Sequence, residues 1–123
     1  MRNIVEPYQG IIKYINNNKE AYMAARNETE IENAIQEKGL NAPRLTPAKI
    51  DAVIKGKTFT KLPSGKTMIC ELTLTSGFTV RGESSVVSPE NFDQEIGEEI
   101  SYEDARNKIW PLEAYLLQQE YPV

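Results

Sequence analysis

Histidine is absent from the 123 residues of this sequence, and cysteine occurs once, at Cys70. Histidine is the commonest general base in enzymes and a common zinc ligand, so its absence excludes the usual hydrolase triad and any Cys/His zinc site. A lone cysteine cannot form an internal disulfide, which is typical of a chain in a reducing cytosol. We therefore expect a protein that is not an enzyme and that holds no metal and no cofactor.

Long apolar runs and a basic excess are also missing. No stretch of 18 apolar residues occurs, which predicts no membrane span, and residues 1–10 lack the apolar centre of a secretory signal. The net charge is −4, from 18 acidic and 14 basic residues, which argues against a general binder of duplex nucleic acid. A small anionic ligand remains compatible with this charge, because it needs only a few well-placed arginines.

Residues 1–45 have the pattern of a helical N-terminal region. Isoleucines at helical spacing indicate a first helix, residues 19–26 a second, and the capping-box pattern Thr29-x-x-Glu32 a third that ends at Gly39. The isoleucines are Ile11, Ile12 and Ile15. Thr46-Pro47 then predicts a short helix that runs to about residue 54 and stops at Gly56.

The apolar period changes to two after this helix. Apolar side chains alternate with polar ones over residues 67–75, which predicts a strand with one buried face. Ser76-Gly77 is a two-residue turn candidate, and residues 78–81 and 57–62 are expected as the flanking strands. Together they predict an antiparallel meander of three strands.

The C-terminal part is predicted to be helical again. Ser88-Pro89 indicates a helix start, a second capping-box pattern follows at Ser101-x-x-Asp104, and apolar spacing continues to about residue 119. This pattern predicts one long helix or two consecutive ones, kinked near Pro111, where the bond to the carbonyl four residues earlier is lost. The expected fold is a single α+β domain over residues 1–123, with a helical region 1–45 and an α+β core 46–123.

Two kinds of side chain are candidates for ligand contact. Asn91 and Asp93 lie where a strand is expected to lead into a helix start, whose free N–H groups attract anions. They could read hydroxyl or base edges, or they could only cap the helix. Arg26 and Arg106 lie on predicted helices and could meet phosphate, or they could form surface ion pairs.

Four blocks of the sequence resemble a widespread accessory family of tailed phages and prophages. They are LNAPRLTP at 40–47, GFTVRGES at 77–84, SPENFD at 88–93 and ARNKIWPLEAYLL at 105–117. The resemblance covers about residues 40–118. The family includes the phage Thoeris anti-defence proteins, which act as signal sponges in the cytoplasm of the infected bacterium.

The resemblance implies a function. Such sponges bind the glycocyclic ADP-ribose isomer (of the 1″-2′ or 1″-3′ type) made by a TIR-domain defence enzyme and hold it without degrading it. Some members also bind cyclic oligonucleotides. Members form homodimers, and some assemble further into hexamers as trimers of dimers.

The resemblance also implies a set of ligand contacts. Phe78, Asn91, Asp93 and Arg106 match the blocks that contact ligand in the family, whereas Tyr22 and Arg26 correspond to N-terminal contacts only by approximate position. The pocket is then expected to be shared between protomers.

Three alternatives stay open. Lys55 and Lys57, before the first strand, are candidate contacts of a second site for cyclic oligonucleotides, or ordinary solvated lysines. The chain could instead inhibit a host protein by direct binding, in which case an exposed apolar patch is expected. It could also cleave the signal, in which case ligand would be consumed.

Overall fold

The computed structural model of the chain describes residues 28–123. The helices expected around Ile11 and over residues 19–26, with Tyr22 and Arg26, lie outside the described residues. The described elements are, in chain order, α1 (Glu28–Glu37), α2 (Pro47–Ala52), β1 (Ile54–Lys61), β2 (Thr67–Leu74), β3 (Thr79–Ser85), a 3-10 turn (Pro89–Asn91), α3 (Gln94–Asn107) and α4 (Ile109–Glu120).

The predicted α+β fold and the antiparallel meander are confirmed. The three strands are ordered β1-β2-β3, with Cys70 opposite both Phe59 and Gly82. Helix α3 packs across β2 and β3 on one face of this sheet. None of the helices in residues 28–123 is long and apolar enough to cross a lipid bilayer.

The core lies between the sheet and the helices. Alternate residues of β2 are buried because side chains of a strand point to opposite faces in turn. Ile50 of α2 and Ala105 of α3 join them, and Ile109 is the buried residue of α4. The core cluster consists of Ile50, Cys70, Leu72, Leu74, Val80, Ala105 and Ile109.

Helix α3 also closes the outer edge of β3. The Asp104 carboxylate accepts a hydrogen bond from the Glu83 backbone N–H at 3.1 Å. The Lys108 ammonium donates to the Arg81 backbone carbonyl. These backbone groups point away from β2, so the two side chains occupy positions that a further strand would otherwise pair with.

The turn and the short helix differ from expectation in detail. The β2–β3 loop spans residues 75–78. The Gly77 N–H donates to the Leu74 carbonyl and closes a turn, and Gly77 itself has a left-handed φ of 92°. Helix α2 ends at Ala52, and Gly56 lies inside β1. The pairing register shifts between Ile54 and Gly56, so Lys55 is the extra residue of a β-bulge.

Three predicted helix starts are wrong. Ser88 precedes only the 3-10 turn, and the main helix starts after Asp93, whose carboxylate accepts from the Ile96 N–H at 2.9 Å. Thr29 lies inside α1, and Ser101 lies inside α3. An N-cap residue must be non-helical, so neither capping-box pattern acts as one. The predicted helix end at Gly39 is confirmed, with a φ of 66°.

The kink near Pro111 is confirmed as a 22° bend between α3 and α4 at residue 108. Lys108 is the C-cap of α3 and the N-cap position of α4. Pro111 therefore lies in the first turn of α4, where a backbone N–H has no helical partner within its own helix. The helix is interrupted three residues before Pro111. The proline therefore lies at a position where its missing N–H removes no hydrogen bond of α4.

Candidate functional site

Arg106, in the last turn of α3, joins three helices at one guanidinium group. Its two terminal nitrogens donate to both carboxylate oxygens of Glu28 in α1, at 2.9 and 3.0 Å. Its Nε donates to Asp51 of α2 at 2.9 Å, and Nη2 also reaches the Pro47 carbonyl at 3.3 Å. The Arg106 side chain is 13% exposed. The expected surface ion pair is therefore one in which a largely buried guanidinium faces two partly exposed carboxylates.

The electrostatics of this cluster favour the charged arginine. Burial opposes the charge, but the hydrogen bonds to Glu28 and Asp51 outweigh it and raise the pKa of Arg106 above its ordinary value. The guanidinium is thus a permanent cation that already faces two anions. An anionic ligand that reaches it must compete with these carboxylates.

A cavity of about 800 Å³ opens beside Arg106. Two aromatic residues, Tyr102 and Trp110, line it together with Ile31, Ile35 and Leu45. Tyr102, Arg106 and Trp110 are spaced by four residues along α3 and the start of α4. The cavity therefore combines one cation, stacking surface, the amide of Asn107 and five carboxylates. The carboxylates are those of Glu28, Glu32, Asp51, Glu99 and Glu103. Burial raises the pKa of Tyr102 above its ordinary value.

Helix α1, which forms one wall of the cavity, has no buried residue. A second bidentate ion pair attaches α1 to the segment before α2. In it, Arg44 donates to the two carboxylate oxygens of Glu32 at 2.6 and 2.8 Å. Hydrogen bonds from Arg44 and Gln36 lower the pKa of Glu32 to about 2. The hydrogen bond to Glu32 raises the pKa of Arg44. Ion pairs therefore carry a large share of the attachment of α1.

Asn91 and Asp93 lie far from Arg106 within one chain. They precede α3, whose 14 residues correspond to a length of about 21 Å, and Arg106 lies at the other end. The N-terminus of α3 is occupied by the chain itself, since Asp93 bonds the Ile96 N–H and Glu95 adds a second negative charge in the first turn. The capping alternative for Asp93 is what the structure contains, and Asn91 is an exposed residue of the 3-10 turn.

Phe78, Lys55 and Lys57 are not among the residues that line the Arg106 cavity. Phe78 is the last residue of the β2–β3 loop, is 59% exposed, and lies at the opposite end of β3 from Asn91. Lys55 is the exposed bulge residue of β1. The Lys57 ammonium lies 5.2 Å from the centre of the Tyr102 ring, in cation–π range. Lys57 therefore contacts the same aromatic ring that lines the Arg106 cavity.

Sequence reasoning missed Glu28 and Asp51 as members of this site, whereas Tyr102 and Trp110 are among the aromatic residues that the sequence offers as stacking surfaces. Glu28 and Arg106 are separated by 78 positions, so no local pattern relates them. The spacing of Tyr102, Arg106 and Trp110 at i, i+4 and i+8 would have placed the three on one helical face. Among residues 28–123, no group of three or more Cys, Asp or Glu side chains is arranged to hold a metal ion.

Comparison with known proteins gives the family. Residues 45–121 match the phage protein (N4 Gp49/phage Sf6 gene 66) family. The chain belongs to this family. The match begins before α2 and ends after α4, so it includes the sheet, Asp51, Arg106 and both aromatic residues of the cavity. No curated protein and no solved structure matches the chain. The phage origin expected from the resemblance is thus confirmed at the level of this family.

Proposed function

We propose that this phage accessory protein binds and sequesters a cyclic ADP-ribose isomer made by a TIR-domain defence enzyme, without degrading it, in the cytoplasm of the infected bacterium. The observation that carries the proposal is the cavity in which Arg106 lies beside Tyr102 and Trp110. Membership of the phage family and the resemblance to Thoeris anti-defence proteins support it.

Several groups of the cavity match the parts of such a ligand, within a lining that also carries the carboxylates of Glu28, Glu32, Glu99 and Glu103. Aromatic rings such as those of Tyr102 and Trp110 stack on an adenine base. A guanidinium binds pyrophosphate oxygens in a bidentate geometry. Carboxylate and amide groups, as in Asp51 and Asn107, accept and donate hydrogen bonds to ribose hydroxyls. Lys57, close to Tyr102, is a cation that could serve a cyclic oligonucleotide, with Lys55 beside it.

The proposal includes a homodimer, with further assembly to a hexamer as an extension. Asn91 and Asp93 do not lie beside Arg106 within one chain, because the length of α3 separates them. They join one pocket with it only when a second protomer supplies its own copies. The N-terminal residues Tyr22 and Arg26 belong to the same proposal.

The deciding experiment is release after denaturation. Purified protein is incubated with each cyclic ADP-ribose isomer, freed of unbound ligand, and heated, and the supernatant is analysed by mass spectrometry. Sequestration predicts recovery of intact ligand in a fixed ratio to protein. Degraded nucleotide would instead indicate an enzyme that cleaves the signal, and absence of any nucleotide would contradict the proposal.

A second candidate, inhibition of a host protein by direct binding, is favoured by the exposed apolar side chains of α4. Leu112, Tyr115 and Leu116 lie at i, i+3 and i+4 and are exposed. Adding the protein to a working TIR-domain enzyme separates the two functions. A direct inhibitor stops production of the signal, whereas a sponge leaves total production unchanged and lowers only the free signal.

A further inference from the structure

The donors of Arg106 are already occupied. Glu28 takes one bond from each terminal nitrogen, Asp51 takes Nε, and the Pro47 carbonyl takes a further bond from Nη2. A planar carboxylate on the two terminal nitrogens uses the same paired geometry that a phosphate group uses. A phosphate can therefore reach Arg106 in this way only when Glu28 leaves.

Of the two carboxylates that bind Arg106, Glu28 is the one that we expect a ligand to displace. It lies in the first turn of α1, which has no buried residue. Asp51 lies on α2, which is anchored by the fully buried Ile50 and by the Thr46 side chain that caps its first turn. A phosphate that takes the two terminal nitrogens displaces Glu28, which lies on this weakly packed helix, and leaves the bond between Nε and Asp51 in place.

We propose that Glu28 is an internal occupant of an anion subsite at Arg106, and that a nucleoside diphosphate group binds by displacing it and releasing the start of α1. This inference rests on the proposed function for the identity of the natural ligand. It adds a competing group within the chain, and it assigns Tyr102 and Trp110 as the stacking surface that makes the exchange favourable.

The stacking surface matters because exchanging one anion for another gives little net gain. The Glu28 side chain is 40% exposed, so solvent screens its pair with Arg106. A ligand that brings only phosphate replaces the Glu28 carboxylate by another anion and adds no further contact. A ligand that also brings an aromatic base adds stacking on Tyr102 and Trp110, so inorganic pyrophosphate should bind more weakly than ADP-ribose.

The test compares Glu28→Gln with Glu37→Gln, a matched change at an exposed position at the other end of the same helix. Affinity for a cyclic ADP-ribose isomer, ADP-ribose and pyrophosphate is measured by calorimetry, and by the fluorescence of Trp110, the only tryptophan in the chain. Glu28→Gln removes the competing charge and should tighten binding about three- to tenfold. Glu37→Gln should bind as the wild type does.

A second measurement follows the helix itself. In the wild type, ligand should accelerate hydrogen exchange at the first amides of α1, because Glu28 has been released. Slower or unchanged exchange there overturns the proposal. So does a Glu28→Gln variant that keeps its fold but binds all three probes equally or more weakly, since Glu28 would then only support the cavity wall.

The outcomes separate this inference from the proposed function. If the cyclic isomer binds wild type and Glu28→Gln alike, the inference fails and sequestration stands. If the cyclic isomer does not bind but ADP-ribose or pyrophosphate binds more tightly to Glu28→Gln, sequestration fails and the subsite stands. If none of the three binds either protein, both fail.

Discussion

At Gly82 the backbones of β3 and α3 approach each other without a side chain between them. A Cβ at this position would lie 2.8 Å from Ala105 Cα and would overlap the Ala105 nitrogen and the Ser101 carbonyl oxygen. All three are backbone atoms, so no side-chain rotation could relieve the overlap. The missing side chain therefore allows α3 to lie close enough for Asp104 to reach the edge of β3.

We expect Gly82→Ala to lower the free energy of unfolding by at least about 2 kcal/mol, because the added methyl group forces the helix away from the sheet. Gly56→Ala is the matched control, since a Cβ there meets no atom within 4 Å. It should change stability by less than about 1 kcal/mol. Chemical denaturation measures both. Equal stability of the two variants would contradict this account of the close approach.

The individual residues of the candidate site could be predicted only in part from the sequence. Arg106 was identified from its helix position and polar surroundings, and both readings of it, phosphate contact and ion pair, follow from the chemistry of a guanidinium. Its partners could not be identified, because Glu28 and Asp51 meet it only through the tertiary packing of three helices. The helix start was placed five residues too early, at Ser88 instead of Asp93, so Asn91 lies in the 3-10 turn before α3.

Among the elements, the strands were the most predictable and the helix starts the least. Alternation over residues 67–75 has one physical cause, a sheet with a covered face, so β2 was found almost residue by residue. A Ser or Thr followed three positions later by an acid also occurs within helices. There, Ser101 donates to the Glu98 carbonyl and Asp104 bonds the neighbouring strand, and neither caps a helix.

The start of α3 gives a prediction that tests which residue caps the helix. Asp93→Ala should lower the free energy of unfolding by about 1 kcal/mol, because the Ile96 N–H loses its acceptor. Asp93→Ser should retain most of the stability, since a hydroxyl can accept the same bond. Asn91→Ala should change it by less than about 0.5 kcal/mol. Thermal melting measures all three. An Asn91→Ala loss as large as that of Asp93→Ala would contradict the assigned helix start.

The attachment of α1 should depend on pH through Glu32. The pKa of Glu32 is lowered to about 2 in the folded protein, from an ordinary value near 4.5, by its hydrogen bond from Arg44. A group with a lowered folded pKa stabilises above its unfolded pKa, and this contribution is lost as the pH falls through the folded value. The stability difference between wild type and Glu32→Gln should therefore shrink as the pH falls from about 4.5 to 2.

Denaturation at several pH values across this window measures that difference. Glu37→Gln is the control, because Glu37 lies on the same helix and is exposed. Its difference from wild type should show no such decrease. A wild-type advantage over Glu32→Gln that persists unchanged down to about pH 2 would show that the Arg44 pair does not attach α1 in this way.

At the scale of the whole molecule, the described residues 28–123 close one edge of the sheet and leave α4 largely exposed. Asp104 and Lys108 cover the outer edge of β3, which disfavours association by strand addition there. Helix α4 instead exposes apolar side chains along one face, and its buried residue is Ile109. Exposed apolar faces of this kind are typical of contact surfaces. If copies of this chain associate, α4 is the surface on which we expect them to meet.

The last prediction tests that surface. Wild type should show twice the mass of one chain by light scattering at micromolar concentration, and Leu116→Glu should shift the mass to that of a monomer without unfolding, because the charge would be buried unpaired in the contact. Gln119→Glu, an exposed change on the same helix, should leave the dimer intact. A monomeric wild type would contradict dimerisation, and a dimeric Leu116→Glu would place the interface elsewhere. If the pocket is shared between protomers, Leu116→Glu should also weaken nucleotide binding, although residue 116 does not line the cavity.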